Sequence, residues 1–333
     1  MSNGTINGAR IDAFVTDGPA PVHEVPFVSV IVPHYNDLEA LAVCIASLKC
    51  QTWPADQMEV IVADNNSSCG LAAVAAVAVG CNVVHAPIQG AGPARNAGAA
   101  VARGEILAFI DSDCDPCPDW IAHGVHALAA YDFAGGSVAN VPRSPARPTP
   151  IEAWEMVFGF DFDRYIHKEG YTGSGNMWVW RRVFDAVGGF RTGVSEDMDW
   201  SFRATARGFR LGYEPNAAVT HLCRENWTDL LIRWRRVVTE HFLLARERRA
   251  WRLCWTARTV GMPLSVVPHL IRIIRSKRLP TLRSRIEAAF ILVSLRFWRA
   301  SFMLQLMFAS MPRGVDRAVG QSDAAAVLVA RSE

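Results

Sequence analysis

The sequence has 333 residues and a net charge of +2, which suits one large α/β domain with an appendage or two ordinary domains. The charge is divided unevenly: residues 224–317 carry 19 Arg and Lys against 6 Asp and Glu, a net +13, and the rest carries 15 against 26, a net −11. The basic part argues against a nucleic-acid partner, because its arginines alternate with bulky aliphatic residues at helical spacing.

Residues 1–26 are rich in Gly, Pro and Ala and predict a flexible tail. They lack the basic start and apolar core of a secretory signal, so we expect the protein to begin in the cytosol. The eight cysteines do not follow the spacing of a disulfide framework, and we expect no disulfides. Cys114 and Cys117 resemble half of a zinc site, but no second Cys or His pair accompanies them, and we interpret the spacing as coincidence.

The first part of the chain alternates between predicted strands and helices. Apolar runs predict strands at 27–32, 58–63 and 82–86, with helices at 37–48 and 72–79 between them. Polar residues follow the first two strands. This order is typical of a parallel sheet that binds ligands at the carboxyl ends of its strands.

A loop of small residues, 90–98, opens the next predicted helix, which runs toward Arg103. The loop lacks the last glycine of a dinucleotide fingerprint and the lysine of a P-loop. Backbone amides at a helix start can still approach a phosphate, and Arg95 would add a charged contact. The alternative is that Arg95 and Asn96 hold the loop against the strand ends.

A buried strand predicted at 106–110 runs directly into Asp111, Ser112 and Asp113. Two carboxylates at a strand end can hold a hard divalent cation and leave coordination positions for diphosphate oxygens and water. The alternative is a polar loop whose acids cap the next helix. The neighbouring polar strand ends favour the metal-diphosphate interpretation.

Beyond this strand we predict a helix at 120–130 and an edge strand at 133–138. Residues 142–150 contain four prolines and predict an extended connector. Its mobility would suit a lid over the substrate. Glycines at 173 and 175 would let a ligand approach the backbone, although such a pair usually marks only a turn.

A helix closed by glycines is predicted at 181–190, and another extends from Ser195 to Gly208. Ser195 is the predicted cap, and Glu196 and Asp197 fall in the first turn, where the helix dipole favours negative charge. Capping alone would account for these acids. A last strand at 217–221 ends with His221, and a lone histidine in this position is usually structural.

Six motifs stand in a fixed order: 30–36 (Val-Ile-Val-Pro-His-Tyr-Asn), 59–64 (Glu-Val-Ile-Val-Ala-Asp), 94–98 (Ala-Arg-Asn-Ala-Gly), 109–113 (Phe-Ile-Asp-Ser-Asp), 173–176 (Gly-Ser-Gly-Asn), and Glu196-Asp197 with Arg203 and Gly208. No single motif is decisive, but together the region 27–223 resembles the family 2 glycosyltransferases of the GT-A fold. The resemblance implies an α/β fold with a Rossmann-like, mostly parallel sheet flanked by helices.

The resemblance also implies a nucleotide-sugar donor (a UDP-, GDP- or dTDP-sugar), with Asp64 bonded to the base, and Mg²⁺ or Mn²⁺ on its diphosphate. The implied metal ligands are Asp111, Asp113 and His221. Asp197 would be the general base toward the acceptor hydroxyl. Other implied donor contacts are Pro33, Tyr35, Asn36, Arg95, Asp111 and Ser112, and the acceptor or sugar contacts are Gly175, Asn176 and Glu196. The acidic pair often seen at Asp64 is Asp-Asn here, which is a departure from the family pattern at the position implied for base recognition.

Processive members of this family carry a Gln-x-x-Arg-Trp element, and Leu230-Leu-Ile-Arg-Trp234 lacks the glutamine. This departure argues against chain polymerisation. With Asp197 as the one base and no partner nucleophile, in-line attack would invert the anomeric configuration. We expect a glycan acceptor, lipid-linked and used in surface polysaccharide synthesis.

Residues 224–317 have a helical pattern crowded with arginine, and their longest uncharged runs, 259–271 and 300–312, have 13 residues each. These runs are short of the ~20 residues that cross a bilayer. We therefore predict amphipathic helices lying on an anionic membrane, peripheral to the inner face of the cytoplasmic membrane. The alternative is a dimerisation or capping domain with solvated arginines. Residues 318–333 resemble a loose tail.

Two other functions fit less well. A sugar-nucleotide nucleotidyltransferase needs a Gly-rich basic loop after its first strand, but Pro33-His-Tyr follows here. An inactive scaffold at the membrane would not need Asp111, Asp113 and Asp197 together.

Overall fold

The computed structural model describes residues 25–308, so the predicted tail 318–333 and nearly all of the predicted tail 1–26 lie outside the described residues. One mixed eight-stranded sheet forms the body. Its strands lie in the order β3 (Asn82–His85), β2 (Met58–Asp64), β1 (Val28–His34), β4 (Ile106–Ile110), β7 (Asn176–Trp180), β6 (Phe133–Val141), β8 (Leu211–Leu222) and β5 (Cys114–Pro116). Helices cover both faces of this sheet, and four further helices follow it.

The first half of the sheet is parallel, as predicted. Strands β1, β2 and β4 lie within two residues of the predicted bounds, and β1 pairs with both β2 and β4. The elements are β1 (Val28–His34), α1 (Leu38–Lys49), β2 (Met58–Asp64), α2 (Gly70–Val77), β3 (Asn82–His85), α3 (Ala91–Val101) and β4 (Ile106–Ile110). Because these strands run parallel, their polar carboxyl ends meet at one edge.

The second half of the sheet is mixed, because β7 runs antiparallel between β4 and β6. Its elements are β5 (Cys114–Pro116), α4 (Trp120–Ala127), β6 (Phe133–Val141), α5 (Pro150–Phe158), α6 (Phe162–Arg164) with a π-helical turn (Tyr165–Glu169), β7 (Asn176–Trp180), α7 (Arg181–Val187), α8 (Glu196–Ala206) and β8 (Leu211–Leu222). The predicted edge strand at 133–138 is therefore an interior strand. The 12-residue β8 pairs with β6 on one side and with β5 on the other, so β5 is the edge.

The predicted connector 142–150 ends earlier than expected, because Pro150 is the first residue of α5. Thr149 and Glu152 form a capping box that satisfies the first amides of this helix. Ser195 makes no capping hydrogen bond to α8, contrary to the prediction, since its hydroxyl donates to Asp197 instead.

Apolar side chains fill both faces of the sheet. On one face Trp120 packs against Trp178, with ring centroids 4.3 Å apart, and Gly124 leaves room for the Trp178 ring where any Cβ would collide. On the other face Phe109 packs against Phe184 and Phe190. This rigid double core fixes the strand ends that carry the polar residues.

The C-terminal helices are α9 (Trp227–Arg246), α10 (Trp251–Leu264), α11 (Val266–Arg275) and α12 (Leu282–Phe308). Helices α9, α11 and α12 share a hydrophobic cluster with α5, whose members include Trp154 of α5, Leu230 of α9, Ile273 of α11 and Leu292 of α12. The helical region is thus packed on the sheet domain through α5.

Helix α12 is the one helix between residues 25 and 308 that is long and apolar enough, by length and composition, to cross a membrane. Several large apolar side chains of α10, α11 and α12 face outward, and Phe290 is 69% exposed. The members of this exposed apolar face are Leu253, Val260, Leu264, Val267, Ile271, Ile274, Leu282, Ile286, Phe290, Val293, Phe297, Leu304 and Phe308.

Candidate active site

A cavity of about 920 Å³ lies at the carboxyl ends of the parallel strands. Its floor comes from β1, β4, the start of α3 and the start of α8, and its roof comes from α9, α10, α11 and α12. Asp111, Asp113, Asp197 and His221 all line it. The cavity therefore joins residues that are far apart in sequence and spans the sheet domain and the helical region.

Asp113 and His221 form a pair at one end of this cavity. The pairing of β5 with β8 sets Cys114 opposite His221, and the Nε2 atom of His221 lies 3.1 Å from Oδ2 of Asp113. His221 is buried, and its Nδ1 has no hydrogen-bond partner among the described residues. The aspartate is 47% exposed toward the cavity.

Asp111, in contrast, faces Arg95 on α3. The arginine Nη2 donates to Asp111 Oδ1 at 2.5 Å, and its Nη1 donates to Glu196 Oε1 at 3.3 Å. The Arg95 side chain is only 4% exposed; burial would lower its pKa, but the charges of Asp111 and Glu196 outweigh burial and raise that pKa. Gly175 lies against the Asp111 carboxylate, where any Cβ would collide with Oδ2.

The structure thus assembles two of the three predicted metal ligands. Within residues 25–308 no three His, Cys, Asp or Glu side chains form a metal-binding group, and Asp111 is bonded to Arg95. Asp113 and His221 fit a hard or borderline divalent cation, since a carboxylate and an imidazole nitrogen converge there and diphosphate oxygens or water can complete the shell. Ser112 lines the cavity between the two aspartates.

Asp197 lies in the first turn of α8, on the same cavity. One of its carboxylate oxygens, Oδ1, accepts hydrogen bonds from the Ser195 hydroxyl at 3.1 Å and from the Met198 amide at 2.7 Å. Burial, and then repulsion from Glu196, raise the pKa of Asp197 to about 6. A carboxylate with this pKa is ionised near neutral pH and still basic enough to take a proton.

At the β1 end of the cavity, Pro33 and Tyr35 line the wall, and the Tyr35 ring is exposed.

Asp64 differs from its predicted role, because its carboxylate is buried and bonded to protein. Its Oδ1 lies 3.0 Å from His34 Nδ1, and its Oδ2 accepts a hydrogen bond from the Ser67 amide. Asn36 also serves the loop, since its Oδ1 accepts from the Ser68 amide.

Asn176 has a structural role instead of the predicted sugar contact. It is fully buried, and its Oδ1 accepts from Trp120 Nε1, while its Nδ2 donates to the carbonyl oxygens of Ser137 and Ala217. Both of its N–H groups are therefore used by the protein, and the buried side chain does not reach the cavity. The preceding Gly173, Ser174 and Gly175 line the cavity.

Three features of the cavity were not predicted from the sequence. His34 is bonded to Asp64 beneath the wall. Buried Glu155 of α5 binds Arg224 and Arg233, at 3.0 and 3.2 Å. Glu240 of α9 also faces the cavity, where burial and then the charge of Glu196 raise its pKa to about 8. The His34–Asp64 pair follows from the register of β1 with β2, and the other two depend on helices packing over the sheet. No local spacing marks any of the three.

Comparison with known proteins agrees with this geometry. Residues 29–188 match the model of glycosyl transferase family 2. The chain is 31% identical over 208 residues to glycosyltransferase AglE of Haloferax volcanii, covering 60% of this chain and 68% of AglE. It is 29% identical over 222 residues to the pre-mycofactocin glycosyltransferase of Mycobacterium tuberculosis, covering 62% of this chain and 45% of that protein.

Among solved structures, the chain resembles the mannosyltransferase PcManGT from Pyrobaculum calidifontis, which is in complex with GDP-Man and Mn²⁺. The TM-score is 0.51 at 20% sequence identity, over 92% of this chain and 79% of that one. At this identity the likeness shows the fold, a mixed α/β sheet flanked by helices.

Proposed function

Since this chain belongs to glycosyltransferase family 2, we propose that it transfers a sugar from a nucleotide-sugar donor to an acceptor hydroxyl, with inversion of the anomeric configuration. The proposed acceptor is a lipid-linked glycan at a membrane surface. The observation that carries the proposal is that Asp197, Asp113 and His221 line one cavity. A base and a diphosphate-binding end within one cavity suit in-line displacement at a sugar carbon.

In this proposal Asp197 removes the proton of the acceptor hydroxyl as that oxygen attacks the anomeric carbon. Its pKa of about 6 keeps it ionised at neutral pH. Met198 and Ser195 donate to one carboxylate oxygen, Oδ1, and the structure records no protein partner for the other among residues 25–308. A single base without a neighbouring nucleophile supports inversion of configuration.

Asp113 and His221 would hold Mg²⁺ or Mn²⁺, and this cation would neutralise the charge that develops on the departing nucleoside diphosphate. PcManGT binds GDP-Man and Mn²⁺, which supports the same classes of donor and metal here. Arg95 would hold Asp111 and Glu196 in place around the donor sugar. Pro33 and the exposed Tyr35 ring would flank the nucleoside, with Asp64 supporting the loop from behind.

The exposed apolar face of α10–α12 supports binding to an anionic membrane. Arg275, Arg278 and Arg283 flank it and are exposed, and basic residues beside apolar ones favour anionic lipid headgroups. Residues of these same helices line the cavity, so a lipid-linked acceptor held at this surface would lie near Asp197. This location suits the inner face of the cytoplasmic membrane and surface polysaccharide synthesis.

A panel of UDP-, GDP- and dTDP-sugars, each with and without Mn²⁺, tests the donor half of the proposal by thermal unfolding. A donor at 100 times its dissociation constant should stabilise the chain by about 2.7 kcal/mol, and only when the metal is present. NMR of the anomeric linkage in the product tests the mechanism. A retained configuration would refute Asp197 as a simple base.

A further inference from the structure

Three arginines of the helical roof face the cavity without an acidic partner. They are Arg258 of α10 and Arg296 and Arg299 of α12. Other cavity arginines are paired: Arg272 lies 2.7 Å from Asp161, and Arg233 lies 3.2 Å from Glu155. Within residues 25–308, no carboxylate lies within 4.0 Å of the three, which we call the roof arginines.

Arg299 is the most buried roof arginine, with 7% of its surface exposed. Its guanidinium lies over the Trp234 ring, 3.7 Å from the centroid. Stacking uses the flat face of the guanidinium and leaves its edge, with the N–H groups, free to bind a ligand. Its Nε is buried and has no hydrogen-bond partner in the described part of the chain, which is costly unless a ligand supplies one.

The other two roof arginines have only weak acceptors nearby. Arg296 lies 3.1 Å from the sulfur of Met262, and Arg258 lies 3.5 Å from Nδ1 of His241. Burial, and then repulsion from Arg296 and Arg258, hold the pKa of Arg299 well below its usual value. Burial and the charges of Arg164 and Arg258 likewise lower the pKa of Arg296 to about 10. A bound anion would relieve this accumulated positive charge.

We propose that the roof arginines form a subsite for a diphosphate group, separate from the Asp113–His221 end of the cavity. Guanidinium edges match phosphate oxygens and bind them in pairs. Three unpaired cations balance the two to three negative charges of a diphosphate, whereas a carboxylate would balance only one. Resting on the proposed function, this subsite holds the linker of a lipid-linked acceptor while its hydroxyl meets Asp197.

Isothermal titration in an uncharged detergent, with EDTA to prevent binding through a metal, tests the subsite. The probes are farnesyl diphosphate, farnesol and inorganic pyrophosphate. Farnesyl diphosphate should bind at least about tenfold more tightly than farnesol. The double variant R296Q/R299Q should lose at least about tenfold in affinity for farnesyl diphosphate, because it removes charged hydrogen bonds to the diphosphate. Pyrophosphate binding as tight as that of farnesyl diphosphate, and lost in the same variant, would support the subsite with a free diphosphate as its ligand.

The matched control is R252Q, because Arg252 is on α10, the helix of Arg258, and is exposed but does not line the cavity. It should bind as the unmodified chain does. R299K should retain part of the binding, since it keeps the charge. If the double variant unfolds, R258Q tests the same subsite, because Arg258 is at an exposed position. R258Q should also weaken the binding of farnesyl diphosphate.

Equal affinity for farnesol and farnesyl diphosphate, or unchanged binding in the arginine variants, would overturn the subsite. Donor binding with Mn²⁺ is measured on the unmodified chain in parallel. If donors bind and diphosphates do not, the subsite fails and the glycosyltransferase proposal stands; if donors do not bind, the proposed function itself fails.

Discussion

The imidazole of His221 lies 3.1 Å from the carboxylate of Asp113, although 108 residues separate them in the chain. The short antiparallel pairing of β5 with β8 brings them together at the edge of the sheet. This pairing carries the metal-binding half of the proposed function.

Replacing Asp113 by Asn should raise the Mn²⁺ concentration needed for half-maximal donor binding by at least about tenfold, because a ligand carboxylate is lost. Titration of the metal at fixed nucleotide-sugar concentration measures this change. Asp115 is an exposed carboxylate two residues away, and D115N is the control. An equal effect of both substitutions would show that general charge, and not a metal ligand, is responsible.

Replacing Asp197 by Asn should lower the transfer rate by about 10²–10⁴-fold, since the general base is removed. Donor binding should change little, because the charge lost lies on the acceptor side. Single-turnover transfer and donor titration separate the two effects. The control is D185N, at an exposed acid of α7, which should leave the transfer rate unchanged. Near-normal turnover in D197N would show that another residue is the general base.

The pH dependence of kcat/KM should follow the ionisation of Asp197. The carboxylate form is active, so the rate should rise as pH increases through about 6 and level off above it. Since Glu196 helps to raise this pKa, E196Q should move the midpoint to lower pH at saturating Mn²⁺. An unmoved midpoint in E196Q would mean that another group controls the profile.

Arg95 should be important for stability as well as for the site. Replacing it by Met leaves the carboxylates of Asp111 and Glu196 without their buried partner, and we expect a loss of about 3 kcal/mol in the free energy of unfolding. The comparison is R103M. The Arg103 side chain is 73% exposed and is paired with Glu59, so this substitution should lower the free energy of unfolding by less than about 1 kcal/mol. Urea denaturation of both variants measures the difference. Similar losses in the two would contradict a special role for Arg95.

The membrane proposal predicts that the chain floats with anionic vesicles at low salt. The double variant F290S/F297S should bind more weakly, since each large apolar side chain contributes about 1.5–3 kcal/mol when it enters lipid. L71S alters an exposed apolar residue of α2, in the sheet domain, and should float like the unmodified chain. A chain that stays in the aqueous fraction under these conditions has no such surface.

The sequence predicted the parallel half of the sheet because its signals are local. Strands β1, β2 and β4 are continuous apolar runs that end in polar residues, and their partners follow from the alternation of strand and helix. Strand β7 was not predicted, because its position between β4 and β6 depends on antiparallel pairing with strands that are far away in the sequence. Helix α5 was not predicted, because the prolines at 142–150 indicated an extended connector.

The candidate site was predicted as a set of residues but not as a geometry. The side chains of Asp113, Asp197 and His221 line one cavity. The bond from Arg95 to Asp111 agrees with the alternative in which Arg95 holds its loop against the strand ends, although no local signal identified Asp111 as its partner. The amide of Asn176 is consumed by Trp120 and two carbonyls, which only the folded chain reveals. The roof arginines depend on how α10 and α12 pack, so their spacing alone carried no signal.

The shared cluster of α5 with the C-terminal helices bears on how this protein can be divided. A chain cut after Cys223 would leave Ile151, Trp154 and Val157, buried in the intact fold, facing water. Such a fragment would aggregate instead of retaining a working half. The two regions therefore fold together, and removal of the helical region would disable catalysis although Asp113, Asp197 and His221 all precede it in the chain.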